Sequence, residues 1–298
     1  MRVNPVLRNE SKIAVRSIKF TLMIFAYILA LSVAVMIYYN SVNETAFSNG
    51  LYLESSIIFY VVMAIGQAVL LFFIVPALSS TAICSEREKQ TLDILLSTRL
   101  TPLQIIIGKV SASSLRVIIL IISTMPLYAI GALIGGVKLS NILGLILFFI
   151  VNTIFVSSIG VFVSTYIKTS KVSTALSYAL VLFIYIGIIV ISWAMLAIAV
   201  YKMNLAGNYT MTDMPSVSPI VYLSPVVGFA SLLLNQVGLG GEISVMFSDF
   251  GVSMHSEYIS VVIQLLLSGL FIYLASIKLN PLNKKAYLNL KKRRSKKR

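Results

Sequence analysis

Charged side chains that could do chemistry are concentrated in one short segment of an otherwise strongly apolar chain. The segment reads CSEREKQTLDILLSTRLTPLQ, residues 84–104. Its charged residues are Glu86, Arg87, Glu88, Lys89, Asp93 and Arg99. Acidic and basic residues that alternate on a helix form ion pairs and contact charged partners, whereas catalysis would need a nucleophile beside a general base. The segment therefore predicts a contact surface rather than an active site.

The other residues with reactive side chains are few and isolated. Cys84 is the only cysteine, so no internal disulfide can form, and the only histidine, His255, has no second ligand at metal-binding spacing. Gly108 and Lys109 form the only Gly-Lys pair, but they lack the upstream glycine of a phosphate-binding loop and precede Val110. We therefore expect no enzymatic activity and no cofactor, metal or ATP bound by this chain alone.

The composition indicates a membrane protein. Of 298 residues, 58% are hydrophobic and only 11% are charged, and the mean hydropathy is +0.94, whereas about a quarter of the residues in a soluble domain are charged. Runs of about 20 uncharged, apolar residues are long enough to cross a bilayer as helices. Such runs predict six transmembrane helices, at about 20–39, 57–83, 110–135, 140–166, 173–200 and 258–277.

A seventh uncharged run, 214–241, does not fit a transmembrane helix. Pro215, Pro219 and Pro225 interrupt its first half, and glycines end it. The apolar part that remains is too short to cross a bilayer, because proline removes a helical hydrogen bond. We expect a re-entrant or interfacial hairpin, whose backbone must be satisfied by protein or water.

The positions of the basic residues predict the topology. With six spans, both termini share one side, and that side receives nearly all of the 24 Lys and Arg residues, including those of the tail 281–298. Because basic residues accumulate in cytoplasmic loops, both termini are expected in the cytoplasm. The polybasic tail is expected to bind anionic lipids and not nucleic acid. Residues 1–17 predict an amphipathic helix in the inner interface.

The spans themselves contain one charged residue, Arg116, and no carboxylate. Charges inside a membrane are candidates for function, but Arg116, like Lys109, lies close enough to the interface to act as a structural anchor instead. Carriers driven by protons or sodium usually bind the ion with an intramembrane Asp or Glu. A transport function would therefore draw its energy from another polypeptide.

The charged segment itself predicts a short amphipathic helix over 85–98. Leu92, Leu95 and Leu96 form an apolar strip with Ile94 off that face, and the charged residues form the other side. Such a helix at the end of a span either rests on the membrane or is held by a soluble partner. The residues alone leave both interpretations open.

The stretch SEREKQTLDILLSTRLTPLQIIIGKV resembles the signature of permeases of the type-2 ABC exporter class. In that pattern two acidic residues are followed by Thr-Leu, paired leucines, a turn with proline, and Gly-Lys at the start of the third span. The matching residues are Glu86, Glu88, Thr91, Leu92, Leu95, Leu96, Gly108 and Lys109. NPVLRNE at 4–10 is similar to the N-terminal interfacial helix of the family. The sequence departs from the pattern at Gln90, where many relatives have glycine, at Arg99, and in the proline displaced to Pro102.

The resemblance implies an all-α polytopic permease domain over 1–280, followed by the tail 281–298. Its parts are six transmembrane helices, an N-terminal interfacial helix, a cytoplasmic coupling helix and an outer re-entrant hairpin. The coupling helix, through Glu86, Glu88, Thr91, Leu92, Leu95 and Leu96, would dock into a separate ATPase, two copies of which bind ATP and Mg. The permease would work as a homodimer or heterodimer in the plasma membrane of a prokaryote. Pro219, Pro225 and Leu232 of the hairpin are expected at the outer gate.

The apolar character of the spans predicts the class of cargo. Their strongly polar residues are few, chiefly Gln67, Asn141, Asn152 and Gln264, and an apolar passage solvates polar cargo poorly. We expect amphipathic or hydrophobic cargo, and the likeness to exporters of peptide toxins and antimicrobial peptides favours peptides. Lipids, drugs and polysaccharides are alternatives within the same machinery. A membrane-anchored assembly or immunity factor that transports nothing is the alternative from another class.

Overall fold

The computed structural model of the chain describes residues 17–49, 52–97, 100–134, 137–206, 219–237 and 256–280. Several predicted features lie outside these ranges: the N-terminal interfacial helix, the polybasic tail 281–298 and both ends of the run 214–241. Within the described ranges, all of the regular secondary structure is helical.

The helices follow one another in the order α1 (Ile18–Asn49), α2 (Tyr52–Ser79), α3 (Cys84–Glu88), α4 (Leu92–Leu96), α5 (Pro102–Ser123), α6 (Met125–Ile134), α7 (Leu139–Tyr166), α8 (Ser170–Leu182), α9 (Ile188–Ala206), α10 (Pro225–Val237) and α11 (Ser256–Leu279). A π-helical turn, Phe183–Gly187, joins α8 to α9. Six helical regions in the described residues are long and apolar enough to cross a membrane, which confirms the six-span fold. We name the main helix of each region a span: span 1 (α1), span 2 (α2), span 3 (α5), span 4 (α7), span 5 (α8 to α9) and span 6 (α11).

Span 3 begins earlier than the sequence predicts, at Pro102 instead of about residue 110. Thr101 closes a capping box with Gln104. The Gln104 backbone amide donates to Thr101 Oγ1 at 3.3 Å, and the Thr101 backbone amide donates to Oε1 of the Gln104 side chain at 3.0 Å. Pro102 fits the first helical position because that position needs no backbone donor. The prediction relied on the apolar run and missed this polar first turn.

Span 4 lies at the centre of the bundle. It packs against spans 2, 3, 5 and 6, and large side chains such as Phe149, Phe155 and Ile159 are almost fully buried on it. Its second half also buries small polar residues, among them Ser157, Ser158 and Ser164. Small residues let helix backbones approach closely in a membrane, where lipid is as apolar as the helices and supplies little drive for association.

The closest such approach is between Gly160 on span 4 and the end of span 2. A Cβ atom added at Gly160 would lie 2.0 Å from Ser79 Oγ and 2.8 Å from Ser79 Cβ. Ser79 cannot easily turn away, since its hydroxyl donates to the Val75 carbonyl at 2.9 Å and its side chain is fully buried. The glycine is thus required by packing.

We expect Gly160→Ala to lower the free energy of unfolding in detergent by roughly 1–2 kcal/mol, because the new methyl group overpacks the contact with Ser79. Gly269→Ala on span 6 is the matched control, since nothing lies within 4 Å of a Cβ atom there, and it should leave stability unchanged or slightly raised, because alanine favours a helix more than glycine does. Titration with SDS in mixed micelles measures both variants. Equal stability of the two would contradict the close packing of spans 2 and 4.

The bundle has two ends. The basic end is the end at which spans 2, 4 and 6 finish at Ser79, Tyr166 and Leu279 and spans 3 and 5 begin at Pro102 and Ser170. The hairpin end is the opposite one, where α10 lies against the start of span 6.

Candidate functional site

The signature segment, residues 84–97, lies at the basic end and differs from the single helix predicted over 85–98. It consists of α3 and α4, which are joined by a turn at Gln90. Gln90 has a φ of 58°, in the left-handed region that side chains with a Cβ atom disfavour. The Thr91 amide donates to the Glu86 carbonyl at 2.9 Å and closes the turn. Gln90 is the position at which the resemblance implies glycine in many relatives, and glycine is the residue best suited to this backbone.

Glu86 lies at the centre of a small polar cluster. Its carboxylate accepts a hydrogen bond from Lys109 Nζ at 2.9 Å and another from the Thr91 hydroxyl. Only 5% of the Lys109 side chain is exposed, against 29% for Glu86. Burial raises the pKa of Glu86. The hydrogen bonds from Thr91 and Lys109, together with the charge of Lys109, lower the pKa by more than burial raises it, so the pKa lies below its ordinary value. The structure thus brings three of the predicted residues together, as an internal ion pair with a hydroxyl beside it.

Arg87 ties the segment to the end of span 4. Its guanidinium donates to the Ile167 carbonyl at 2.6 Å and to the Thr165 carbonyl at 3.2 Å. The last carbonyls of a helix have no partner within the helix and carry partial negative charge. The Arg87 guanidinium donates hydrogen bonds to these carbonyls and places a positive charge beside their partial negative charge. No sequence pattern indicates this contact, since Arg87 could pair with several neighbouring carboxylates.

Glu88 ties the segment to the first turn of span 5. One carboxylate oxygen accepts from the Ser170 amide at 2.7 Å, and the other accepts from the Ser170 hydroxyl at 2.7 Å. Hydrogen bonds from the Ser170 backbone and side chain lower the pKa of Glu88. A carboxylate at a helix N-terminus complements the helix dipole. Glu88 is exposed, as the sequence predicts, and both of its carboxylate oxygens contact its own chain.

The leucines of α4 face inward. Leu92, Leu95 and Leu96 are half-buried and pack on a cluster that contains Ile83, Ile105, Ile106, Val110, Val161, Ala275 and Leu279. Ile94 points the other way and is 68% exposed. Within 84–97 the exposed side chains besides Glu88 are Lys89, Gln90, Asp93, Ile94 and Ser97. We call those five residues the outer face of the segment.

Arg116, the charged residue predicted inside span 3, is half-buried about two helical turns beyond Lys109. The Glu86 cluster is built from Lys109 and Thr91. Of the two basic residues that the sequence placed at the membrane interface, Lys109 thus has a defined acidic partner in the signature segment.

The hairpin run contains a 3₁₀ turn, Pro219–Leu223, followed by α10. Its entry is attached to span 5: the Ser224 hydroxyl donates to the Tyr185 carbonyl at 2.8 Å, within the π-helical turn. The Tyr185 hydroxyl in turn donates to Asn152 Oδ1 on span 4 at 2.6 Å. π-helical turns are frequent at functional sites, because they disturb the regular pairing of backbone groups.

The end of α10 is held by a second set of polar contacts. Ser231 and Asn235 donate to one carboxylate oxygen of Glu257, at 2.9 and 2.7 Å. Gln236 accepts from the Tyr60 hydroxyl at 2.6 Å and donates to the Asn141 carbonyl at 2.9 Å. The hairpin is thereby fixed to spans 2, 4 and 6.

The three predicted gate residues all lie on this hairpin. Pro219 is exposed, Pro225 is buried and Leu232 is half-buried against the main core. The prolines mark the start of the 3₁₀ turn and of α10, as expected for a residue that breaks the preceding helix. The polar side chains that hold the hairpin were not predicted, because their partners are distant in sequence.

Comparison with known proteins gives one family. The family model described as ABC-2 family transporter protein matches residues 5–275. A search of curated proteins found no match to this chain. The family match includes every described span in nearly its full length, the signature segment and the hairpin.

Proposed function

The chain belongs to the ABC-2 family of transporter proteins as a membrane-spanning permease subunit of an ABC exporter, and from this premise we propose how it binds its ATPase and what it carries. The outer face of segment 84–97 docks onto the ATPase, which is a separate polypeptide. The cargo is amphipathic, with peptides favoured. Two ATPase subunits would bind ATP and Mg, and two permeases would form the translocation path. No residue of this chain is assigned a catalytic role.

Ile94 carries the docking proposal. It is the one large apolar side chain that is exposed among the described residues between the end of span 2 and Pro102. The leucines of the segment are used against the permease itself. Exposed apolar residues inside the spans are explained by lipid, whereas Ile94 lies outside the spans and its exposed neighbours on the segment are polar. An apolar side chain surrounded by polar ones is typical of the anchor of a protein interface.

The distribution of charge supports the orientation in which the basic end faces the cytoplasm. The polybasic tail follows span 6 on that side, and basic loops are retained in the cytoplasm. An ATP-dependent partner would find its nucleotide there. We accordingly propose that both termini are cytoplasmic and that the protein resides in the plasma membrane of a prokaryote, with anionic lipids at the tail.

The surface of the spans supports amphipathic or hydrophobic cargo. From Val172 to Ile198, every exposed side chain of span 5 is apolar. The polar residues of the spans face each other inside the chain: Gln67 accepts from the Tyr128 hydroxyl, Gln264 donates to Ser260, and Asn152 accepts from Tyr185. A path formed by these outer surfaces would offer few hydrogen bonds, and unpaired polar groups of a cargo would cost on the order of 1–3 kcal/mol each.

The hairpin supports the proposed outer gate. Its described helix, α10, has 13 residues, which is too few to cross a bilayer, and it is held by side-chain hydrogen bonds that can break and reform. A Cβ atom added at Gly228 would lie 2.4 Å from Ser260 Cβ, so α10 packs very closely on span 6. Movement of span 5 or span 6 would therefore shift the hairpin directly.

The cargo proposal predicts the response of ATP hydrolysis in the reconstituted complex. Amphipathic peptides should stimulate hydrolysis by about two- to tenfold, because cargo that stabilises the transport-competent state shifts its population by that factor. Lipids and oligosaccharides form the comparison panel, and a complex with an inactivated ATPase subunit is the control. Stimulation by oligosaccharides alone would contradict amphipathic cargo.

A further inference from the structure

We propose that Glu88 is a positioning residue that joins the signature segment to span 5. Movement of the ATPase is then transmitted to span 5 through the turn at residues 167–170. The inference rests on the proposed docking function, and it assigns Glu88 a role inside the permease instead of a contact with the ATPase. In this role the carboxylate fixes the position of one helix against another.

The polar contacts of the segment join it to the end of span 4 and, through Glu88, to the first residue of span 5. Glu88 accepts two hydrogen bonds from Ser170, and Arg87 donates two to the carbonyls of Thr165 and Ile167. At the start of the segment, the backbone amides of Ile83 and Cys84 both donate to Ser164 Oγ at 2.9 Å. Charge-assisted hydrogen bonds are short and directional, so these contacts fix position as well as distance. The segment, the end of span 4 and the turn that leads into span 5 should therefore move as one body.

A second set of bonds joins span 5 to Ser80, which follows span 2 and leads into the segment. Ser80 and Thr174 share a hydrogen bond at 2.9 Å, and the Ser173 hydroxyl donates to the Ser80 carbonyl at 2.6 Å. By contrast, the segment meets span 6 through the apolar residues Ala275 and Leu279. Apolar surfaces can slide past each other in small shear movements. Displacement of the segment is thus carried to span 5 more rigidly than to span 6.

Ser170→Pro tests this connection without breaking the helix. Ser170 is the first residue of α8, a position that accepts proline because its amide has no partner within the helix. The preceding residue, Thr169, already has φ −113° and ψ 136°, the conformation that a residue before proline prefers. The substitution removes both donors to Glu88, the amide and the hydroxyl. The Ser170 carbonyl, which accepts from Thr174, is retained in proline.

The experiment uses the full permease with its ATPase, in a Cys84→Ser background that carries Tyr201→Cys on the exposed surface of span 5 near the hairpin end. Variants Glu88→Ala, Ser170→Pro and the double variant are compared with Glu88→Gln, whose amide oxygen can still accept from Ser170. Lys171→Ala, an exposed neighbour in the same turn, is the matched control. Three quantities are measured: capture of the ATPase, ATP-dependent labelling of the introduced thiol at position 201 by an impermeant maleimide, and cargo transported per ATP hydrolysed.

We expect Glu88→Ala and Ser170→Pro to retain capture, to lose the ATP-dependent change in labelling, and to lower transport per ATP by about threefold, the scale of an exposed charged contact. The double variant should be no worse than either single one, and Glu88→Gln should restore part of the coupling. Loss of capture in Glu88→Ala would show that Glu88 is a docking residue and would overturn the proposal, as would wild-type coupling in Ser170→Pro. Failure of the docking function itself is seen separately, as normal capture after substitution of Ile94.

Discussion

Ile94→Ala is expected to weaken capture of the partner ATPase by about 30-fold, and Ile94→Asp is expected to abolish it. Truncation of a central interface anchor typically costs about 2 kcal/mol or more, which corresponds to that factor in affinity. An aspartate at the same place would in addition bury a charge in the apolar part of the interface. Co-purification of the ATPase with tagged permease measures the effect.

The neighbouring leucines provide the control for Ile94. Leu92→Ala removes contacts inside the permease, since Leu92 packs on the cluster that contains Ile105 and Ile106. It should lower thermal stability in detergent while the folded fraction still captures the ATPase. If Ile94→Asp captures ATPase at the wild-type level, the outer face is not the docking surface. If Leu92→Ala loses capture with unchanged stability, the leucine strip faces the partner after all.

The six spans could be predicted because a membrane leaves few alternatives. A bilayer requires about 20 apolar residues per helix and full backbone pairing, so uncharged runs identify the spans. The rejection of 214–241 as a span followed from the same rule, since Pro219 and Pro225 break the run. The helix ends were predicted less well: Thr101 and Gln104 begin span 3 with a polar turn, which a prediction from hydropathy alone excludes.

The arrangement of the signature segment could be predicted only in part. The leucine strip and the opposite orientation of Ile94 follow from helical spacing, and the structure shows the same division. The break at Gln90 was missed, because the propensities of the surrounding residues favour one continuous helix. The partners of the two glutamates within the chain were also missed. Glu86 pairs with a residue 23 positions away and Glu88 with one 82 positions away, and no local pattern encodes such partners.

The same limit applies to the hairpin end. The prolines predict the hairpin, but Glu257, Asn235 and Ser231 meet only when α10 has folded onto span 6. The π-helical turn in span 5 is equally hidden, since Phe183–Gly187 has the composition of an ordinary apolar stretch. Polar residues at a span boundary are usually interpreted as solvated. Here they hold α10, a short helix that does not cross the bundle.

Glu86→Ala is expected to lower the free energy of unfolding by about 2–3 kcal/mol. Removal of one partner of a fully buried ion pair costs about 3–5 kcal/mol, because the remaining charge keeps its desolvation penalty. The Glu86 side chain is 29% exposed, so water compensates part of that loss. The variant also deprives the Thr91 hydroxyl of its carboxylate acceptor, although the Glu86 carbonyl still accepts from Thr91. Unfolding in mixed micelles at neutral pH measures the change.

Replacement of both charges separates the ion pair from general packing. Glu86→Leu with Lys109→Met keeps similar volumes and leaves no ammonium without its carboxylate at a site that is only 5% exposed. Since an apolar pair of similar size often equals a buried ion pair in stability, the double variant should regain most of the loss seen in Glu86→Ala. A double variant as unstable as Glu86→Ala would show that the charge on Lys109 is not the origin of the loss. If the double variant regains stability but not transport, its apolar side chains have restored packing without restoring the position of α3. That result would show that the ion pair sets the position of α3 beside span 3.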